Sequence, residues 1–202
     1  MTQNSIVSIY SEATPNPDTM KFVLNRLLFA HQSADFPTEE EAAIASPLAA
    51  ALFHNFSYVN GVFIMNNFLT ITKKTDQEWF ELIPDLREFI RNYIADGGEV
   101  IDESLLQEKL SANSSVGANA IHENDDEVVR KIKEIIAKYV QPAVEMDGGT
   151  IVYRDFTNGI VTLGMQGSCS GCPSSTVTLK SGIEGLLKRM VPEVSSVEAE
   201  AM

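Results

Sequence analysis

The chain has 202 residues, 44% of them hydrophobic, which is enough for one large packed domain or two small ones. Its formal charge of −13, from 28 acidic against 15 basic side chains, repels phosphate backbones and anionic membranes, and so argues against nucleic-acid and membrane partners. No apolar run approaches the roughly 18 residues that span a bilayer, and Met1–Ser5 begins neither a signal peptide nor an Arg-rich transit peptide, so the expected location is cytoplasmic, with thiols kept reduced.

In chain order, residues 6–10 and 20–25 read as strands around the turn-rich Thr14-Pro15-Asn16-Pro17-Asp18, where two prolines fix φ and withhold donors. Ser46-Pro47 predicts a helix start, serine capping and proline in the first helical position. Tyr58–Met65 and Phe68–Lys73 predict a hairpin, because Asn66-Asn67 between them tolerates positive φ. An amphipathic helix is expected from about Asp76, with Trp79, Ile83, Leu86, Ile90 and Ile94 on one stripe and Pro84 kinking or restarting it. The Trp79 stripe reads as core and Thr14–Pro17 as a rigid turn, exposed enough to meet partners. This gives an α+β domain over residues 1–95.

Residues 96–124 lose that periodicity, apart from a short helix expected around Ser104–Leu110, and hold 6 acidic residues against 1 basic. Ser111–Asn119 has the composition of a flexible tether. Asp-Gly-Gly recurs at 96–98 and 147–149, which is too short to argue a repeat. The second domain, 125–202, opens with acidic Asp125, Asp126 and Glu127 at the positive end of a helix whose apolar stripe is Val128, Ile132, Ile135, Ile136 and Tyr139. Asp147-Gly148-Gly149 turns the chain into a strand over 150–156, and Asn158-Gly159 turns it back into Ile160–Met165. A cysteine loop follows, then a helix carrying Leu179, Ile183, Leu186 and Met190, ended by Pro192, then a third strand over Val194–Ala199. The fold class is therefore α+β: two small domains joined by an acidic linker.

Cys169 and Cys172 are the only cysteines, three positions apart. Two thiols are half of the four ligands that zinc and iron–sulfur centres require. The rest must come from histidines, an external ligand or a second copy of the chain. A redox pair places its second cysteine inside a helix. Here Pro173 follows Cys172 and pushes it out of helical conformation, so both sulfurs are expected on one exposed loop, near a helix N-terminus that stabilises thiolates. That favours metal ligation; thiol–disulfide exchange and two inert cysteines remain open alternatives. His31, His54 and His122 are distant in sequence and read as surface residues, and Asp147 reads as a turn residue rather than a catalytic acid.

Asp147-Gly148-Gly149, Asn158-Gly159, Gly167-Ser168-Cys169-Ser170-Gly171-Cys172-Pro173-Ser174-Ser175, Thr178–Glu184 and Val191-Pro192-Glu193-Val194 together resemble the C-terminal domain of NifU, over nearly all of 125–200. Thr14-Pro15-Asn16-Pro17, Met20-Lys21-Phe22, Ser46-Pro47-Leu48-Ala49, Gly61-Val62 and Leu69–Lys73 resemble the N-terminal domain of Nfu proteins. The resemblance implies an iron–sulfur cluster carrier without catalytic residues: a homodimer holding one [4Fe–4S] cluster, with [2Fe–2S] as a second form, between two CxxC loops. Cys169 and Cys172 match the ligand positions, and Ser168 stands where the family often has alanine. Scaffolds that work with a cysteine desulfurase use three spaced cysteines, which this chain lacks. The resemblance thus implies a carrier loaded by an upstream scaffold and delivering to apo client proteins.

Overall fold

The computed structural model describes residues 6–106, 119, 121–122, 125–170 and 173–201. They fall into two compact units, residues 1–113 and 114–202.

The first unit is a five-stranded antiparallel sheet in the order β1-β2-β5-β4-β3, made of β1 (Ile9–Ala13), β2 (Thr19–Leu24), β3 (Phe29–Phe36), β4 (Val59–Asn66) and β5 (Phe68–Lys73). The expected hairpin is β4–β5, and Asn66 takes a φ of 48° at its turn. The first strand is displaced from 6–10 to Ile9–Ala13, paired with Met20–Leu24. Helices α1 (Glu39–Ala45), α2 (Pro47–Asn55) and α3 (Trp79–Ala95) contribute to one core with the sheet. Ser46 caps α2 as expected: its Oγ accepts from the Ala49 N–H at 3.1 Å while its hydroxyl donates to the Val100 carbonyl at 2.6 Å. Helix α3 starts at Trp79 and runs through Pro84 without restarting. Its Leu82, Leu86, Ile90 and Ile94 are buried, and Trp79 and Ile83 pack against the same core. The Trp79 indole N–H reaches the Pro17 carbonyl at 2.9 Å, which ties the double-proline turn to α3. Inside that turn Asn16 is buried, its Oδ1 accepting from the Asp18 N–H at 3.0 Å. Ile101 and Leu106 belong to this core, and Asp102 caps a helical stretch at 103–106 whose predicted continuation to 110 lies outside the described residues.

The second unit has a three-stranded sheet, β6 (Gly149–Thr157), β7 (Ile160–Gly167) and β8 (Ser196–Ala201), with β6–β7 antiparallel and β7–β8 parallel. At the β6–β7 turn Asn158 and Gly159 both take positive φ, 54° and 80°, as a tight two-residue hairpin requires. The first helix is built in three parts: α4 (Glu127–Ile135), a π-helical turn (Ile136–Val140) and α5 (Gln141–Met146). Asp126 caps α4 through the Val129 N–H at 2.7 Å. The π turn corrects the expected stripe: Tyr139 is 49% exposed and Val140 is buried in its place. Pro142 has no N–H for the α-helical ladder, and the Gln141 N–H bonds to the Ile136 carbonyl, five residues back, which moves every later residue off the 3.6-residue stripe. Helix α6 (Pro173–Met190) crosses from β7 to the parallel β8. Buried Ile132, Ile136, Val144, Leu163, Ile183 and Leu187 join these helices and strands in one core.

Candidate metal centre

The cysteine loop occupies the β7–α6 crossover, where the chain leaves the carboxyl end of a central strand and enters a helix at Pro173. A crossover between parallel strands places such a loop at the end of the sheet, which is where α/β units carry their sites. Residue 172 lies outside the described residues, and the geometry of the site is that of Cys169 and its neighbours.

Cys169 is anchored by the Asp147-Gly148-Gly149 turn at the end of α5. The Ser168 N–H donates to the Gly148 carbonyl at 3.2 Å, and the Ser168 hydroxyl donates to the Asp147 carbonyl at 2.5 Å. Gly148 (φ 85°) and Gly167 (φ 64°) take the left-handed backbone that closes the two segments on each other. Gly149 allows the closest approach: a Cβ there would lie 2.7 Å from the Cys169 Sγ and 2.6 Å from the Gln166 carbonyl oxygen. The motif expected to be a plain turn therefore also packs directly against Cys169. The tripeptide itself carries no signal for this, since the same Asp-Gly-Gly at 96–98 sets its last glycine against Tyr93.

The expectation of an exposed sulfur is corrected for Cys169. It is 5% exposed, belongs to the apolar core of its unit and is in no disulfide. Burial pushes its thiol up to about 11, Ser168 hydrogen bonding partly offsets this, and the negative charge of Asp147 adds to it. In this state Cys169 is a protonated core thiol. The rise from 9.0 to about 11 corresponds to about 3 kcal/mol against forming the thiolate in place. A ligand role for this sulfur would require that the loop open or that a metal displace the proton.

Among the described residues no group of three His, Cys, Asp or Glu side chains is placed to hold a metal ion. His54 and His122 are exposed; the side chain of His31 lies outside the described residues. No helix is long and apolar enough to cross a membrane among the described residues.

Both units match known domain families. Residues 9–97 match the family described as scaffold protein Nfu/NifU N terminal, and residues 132–198 match the NifU-like domain family. The chain is 39% identical over 191 residues to the human protein named NFU1 iron-sulfur cluster scaffold homolog, mitochondrial, covering 94% of this chain and 70% of that one. It is 40% identical over 200 residues to NifU-like protein 5, mitochondrial, of Arabidopsis thaliana, covering 98% of this chain and 70% of that one. A solved NifU-like protein from Saccharomyces cerevisiae is 26% identical and covers 50% of this chain and 88% of that one, with a TM-score of 0.43. The expectation of a cytoplasmic location is overturned here, since both of the long relatives are named mitochondrial. They extend beyond the matched region, so the absence of a basic amphipath at Met1–Ser5 carries no information on location. With two family matches in the expected order and relatives alike over nearly its whole length, the chain belongs to the Nfu family of NifU-like proteins.

Proposed function

We propose that this chain is a non-enzymatic carrier that receives an iron–sulfur cluster, holds it between two copies through Cys169 and Cys172 of each, and delivers it to apo-proteins. The observation that carries the reading is Cys169 at the mouth of the β7–α6 crossover, with no third metal-binding side chain grouped with it among the described residues. Two thiolates per chain make a four-thiolate set only when two chains meet, which is the complement a [4Fe–4S] cluster takes; a [2Fe–2S] form uses the same four sulfurs. The names of the relatives, iron-sulfur cluster scaffold and NifU-like protein, support the cargo. A cluster shared across an interface is releasable: separation of the chains or entry of a client thiolate removes ligands without unfolding either domain.

The buried state of Cys169 adds a step to this scheme. Free chains keep the thiol protonated and packed, and the energy of iron–thiolate bonding draws it out. The same fact argues against thiol–disulfide exchange, because an attacking cysteine needs a lowered pKa and this one is raised. Anaerobic reconstitution of Cys169→Ser and Cys172→Ser chains tests the assignment. Each variant is expected to lose the brown cluster and the ability to activate an apo iron–sulfur enzyme; full cluster retention by either one contradicts it.

A further inference from the structure

The outer side of β1 in the first unit forms a groove of about 500 Å³ with α3, one wall made by Val7 to Ile9 and the other by Pro84, Arg87, Glu88 and Arg91. Among the described residues strand β1 is the edge of its sheet, paired on its inner side alone. The Asn25 N–H donates to the Ser8 carbonyl at 3.2 Å, so by the alternation of an antiparallel ladder Val7, Ile9 and Ser11 turn their N–H and C=O groups outward. The Asn25 side chain lengthens this edge. Its Oδ1 accepts from the Ser8 N–H at 3.1 Å and its amide donates to the Ile6 carbonyl at 2.9 Å, which holds Ile6–Ser8 in line with the strand. Val7 and Ile9 bury their side chains in the core, so they meet the groove through backbone.

Natural sheets guard such edges with bulges, prolines or charges. The opposite edge, β3, has a register shift between Phe29 and Ser33. Strand β1 pairs in unbroken register and Ile6–Ser11 contains neither proline nor charge; the strand's one charged residue, Glu12, lies 3.5 Å from the Lys21 ammonium on β2. Across the groove, Pro84, Arg87, Glu88 and Arg91 occupy one exposed stripe of α3, separate from its buried stripe. Two of the six basic residues in 1–95 are thus gathered on a single groove wall of an acidic protein. Glu88 lies 3.9 Å from Arg91 and offsets part of that charge.

We propose that this groove binds an extended acidic segment of a partner protein, which adds a strand to β1 and presents Asp or Glu side chains to Arg87 and Arg91. Main-chain bonds to Val7, Ile9 and Ser11 supply affinity, and the two guanidinium groups select carboxylates at alternate positions of the incoming strand. This groove lies in the first unit alone and does not depend on cluster binding by the second.

The test is fluorescence anisotropy of the full chain with a labelled octapeptide alternating valine and glutamate, at low ionic strength. Saturable binding is expected, weakened at least about tenfold by the double variant Arg87→Glu/Arg91→Glu and by N-methylation of alternate peptide nitrogens, and strengthened by Glu88→Gln. The amides of Ile9 and Ser11 should gain hydrogen-exchange protection in the complex. The arginines are exposed, so the double variant is expected to fold, which its thermal unfolding checks. Equal binding of an alternating valine–lysine peptide, or indifference to the arginine reversal, overturns the proposal. So does protection of the Ile9 and Ser11 amides before peptide is added, since the edge would then already be occupied by a second copy.

Discussion

Asp-Gly-Gly occurs twice in the chain and does the same local job both times. At 96–98 it ends α3: Gly97 takes a φ of 79°, and the Gly98 N–H bonds back to the Tyr93 carbonyl at 2.9 Å. At 147–149 it ends α5: Gly148 takes a φ of 85° and its N–H bonds to the Glu145 carbonyl at 3.1 Å. The third residue of each motif separates them. A Cβ on Gly98 would strike the Tyr93 ring, whereas one on Gly149 would strike the Cys169 sulfur. Identical tripeptides, forming similar helix stops, become a local packing detail in one unit and the direct neighbour of Cys169 in the other. What differs is the tertiary neighbour, which the three residues cannot encode.

The two motifs should part most sharply at those last glycines. Gly149→Ala forces apart two backbone segments and the sulfur, so a cost at or above about 1–3 kcal/mol is expected, with loss of iron uptake. Gly98→Ala should destabilise the first unit and leave iron uptake unchanged. Thermal unfolding and iron titration of both variants decide the matter; loss of iron uptake by Gly98→Ala would erase the distinction. Next in size is the thiol itself. In a Cys172→Ser chain, iodoacetamide should alkylate Cys169 about 100-fold more slowly at pH 8 than an ordinary exposed thiol, as a pKa of about 11 in place of 9.0 requires. A raised value also sets the sign for stability. The contribution of the packed thiol is complete below its unfolded pKa near 9 and is lost as pH rises through about 11. The second unit should therefore weaken above pH 9, and Cys169→Ala should flatten that part of its profile.

At the middle glycines the two turns should behave alike. Gly97→Ala and Gly148→Ala each place a side chain in left-handed backbone, at about 1–2 kcal/mol apiece in chemical denaturation. The smallest effect is expected at Ser168→Ala, which removes the hydroxyl donor to the Asp147 carbonyl for about 1 kcal/mol and unties one bond between the second Asp-Gly-Gly and the cysteine loop. Because the Ser168 hydroxyl also holds the Cys169 thiol below the value that burial alone would give, alkylation of Cys169 in the variant should be no faster than in the parent chain.

Much of the fold is legible in the sequence because its punctuation is local. Ser46-Pro47, Asn66-Asn67, Asn158-Gly159 and Pro173 each impose a backbone geometry through their own chemistry, and each stands where the structure uses it. Helix α1 also carries a readable start, outside the elements predicted above: Thr38 accepts from the Glu41 N–H at 3.2 Å, the Thr-x-x-Glu pattern of a capped helix. Strand β3 is hidden, since its register shift and polar interior break the two-residue alternation. Tyr139 falls off the predicted stripe because the π turn before Pro142 alters the period on which such a stripe is counted. The cysteine pair announces the site, yet the burial of Cys169 depends on Gly149 and on a core drawn from distant positions. Spacing reports which side chains can share a ligand, not how far they sit from water.

The proposed carrier role depends above all on two chains completing one cluster. Anaerobic reconstitution of the purified chain with iron and sulfide, read by metal analysis and native mass together, puts this to the test. A brown dimer with about two irons and two sulfides per chain is expected, half of a four-iron set each. A colourless monomer that takes up no iron, or a monomer that holds a complete cluster alone, would contradict it.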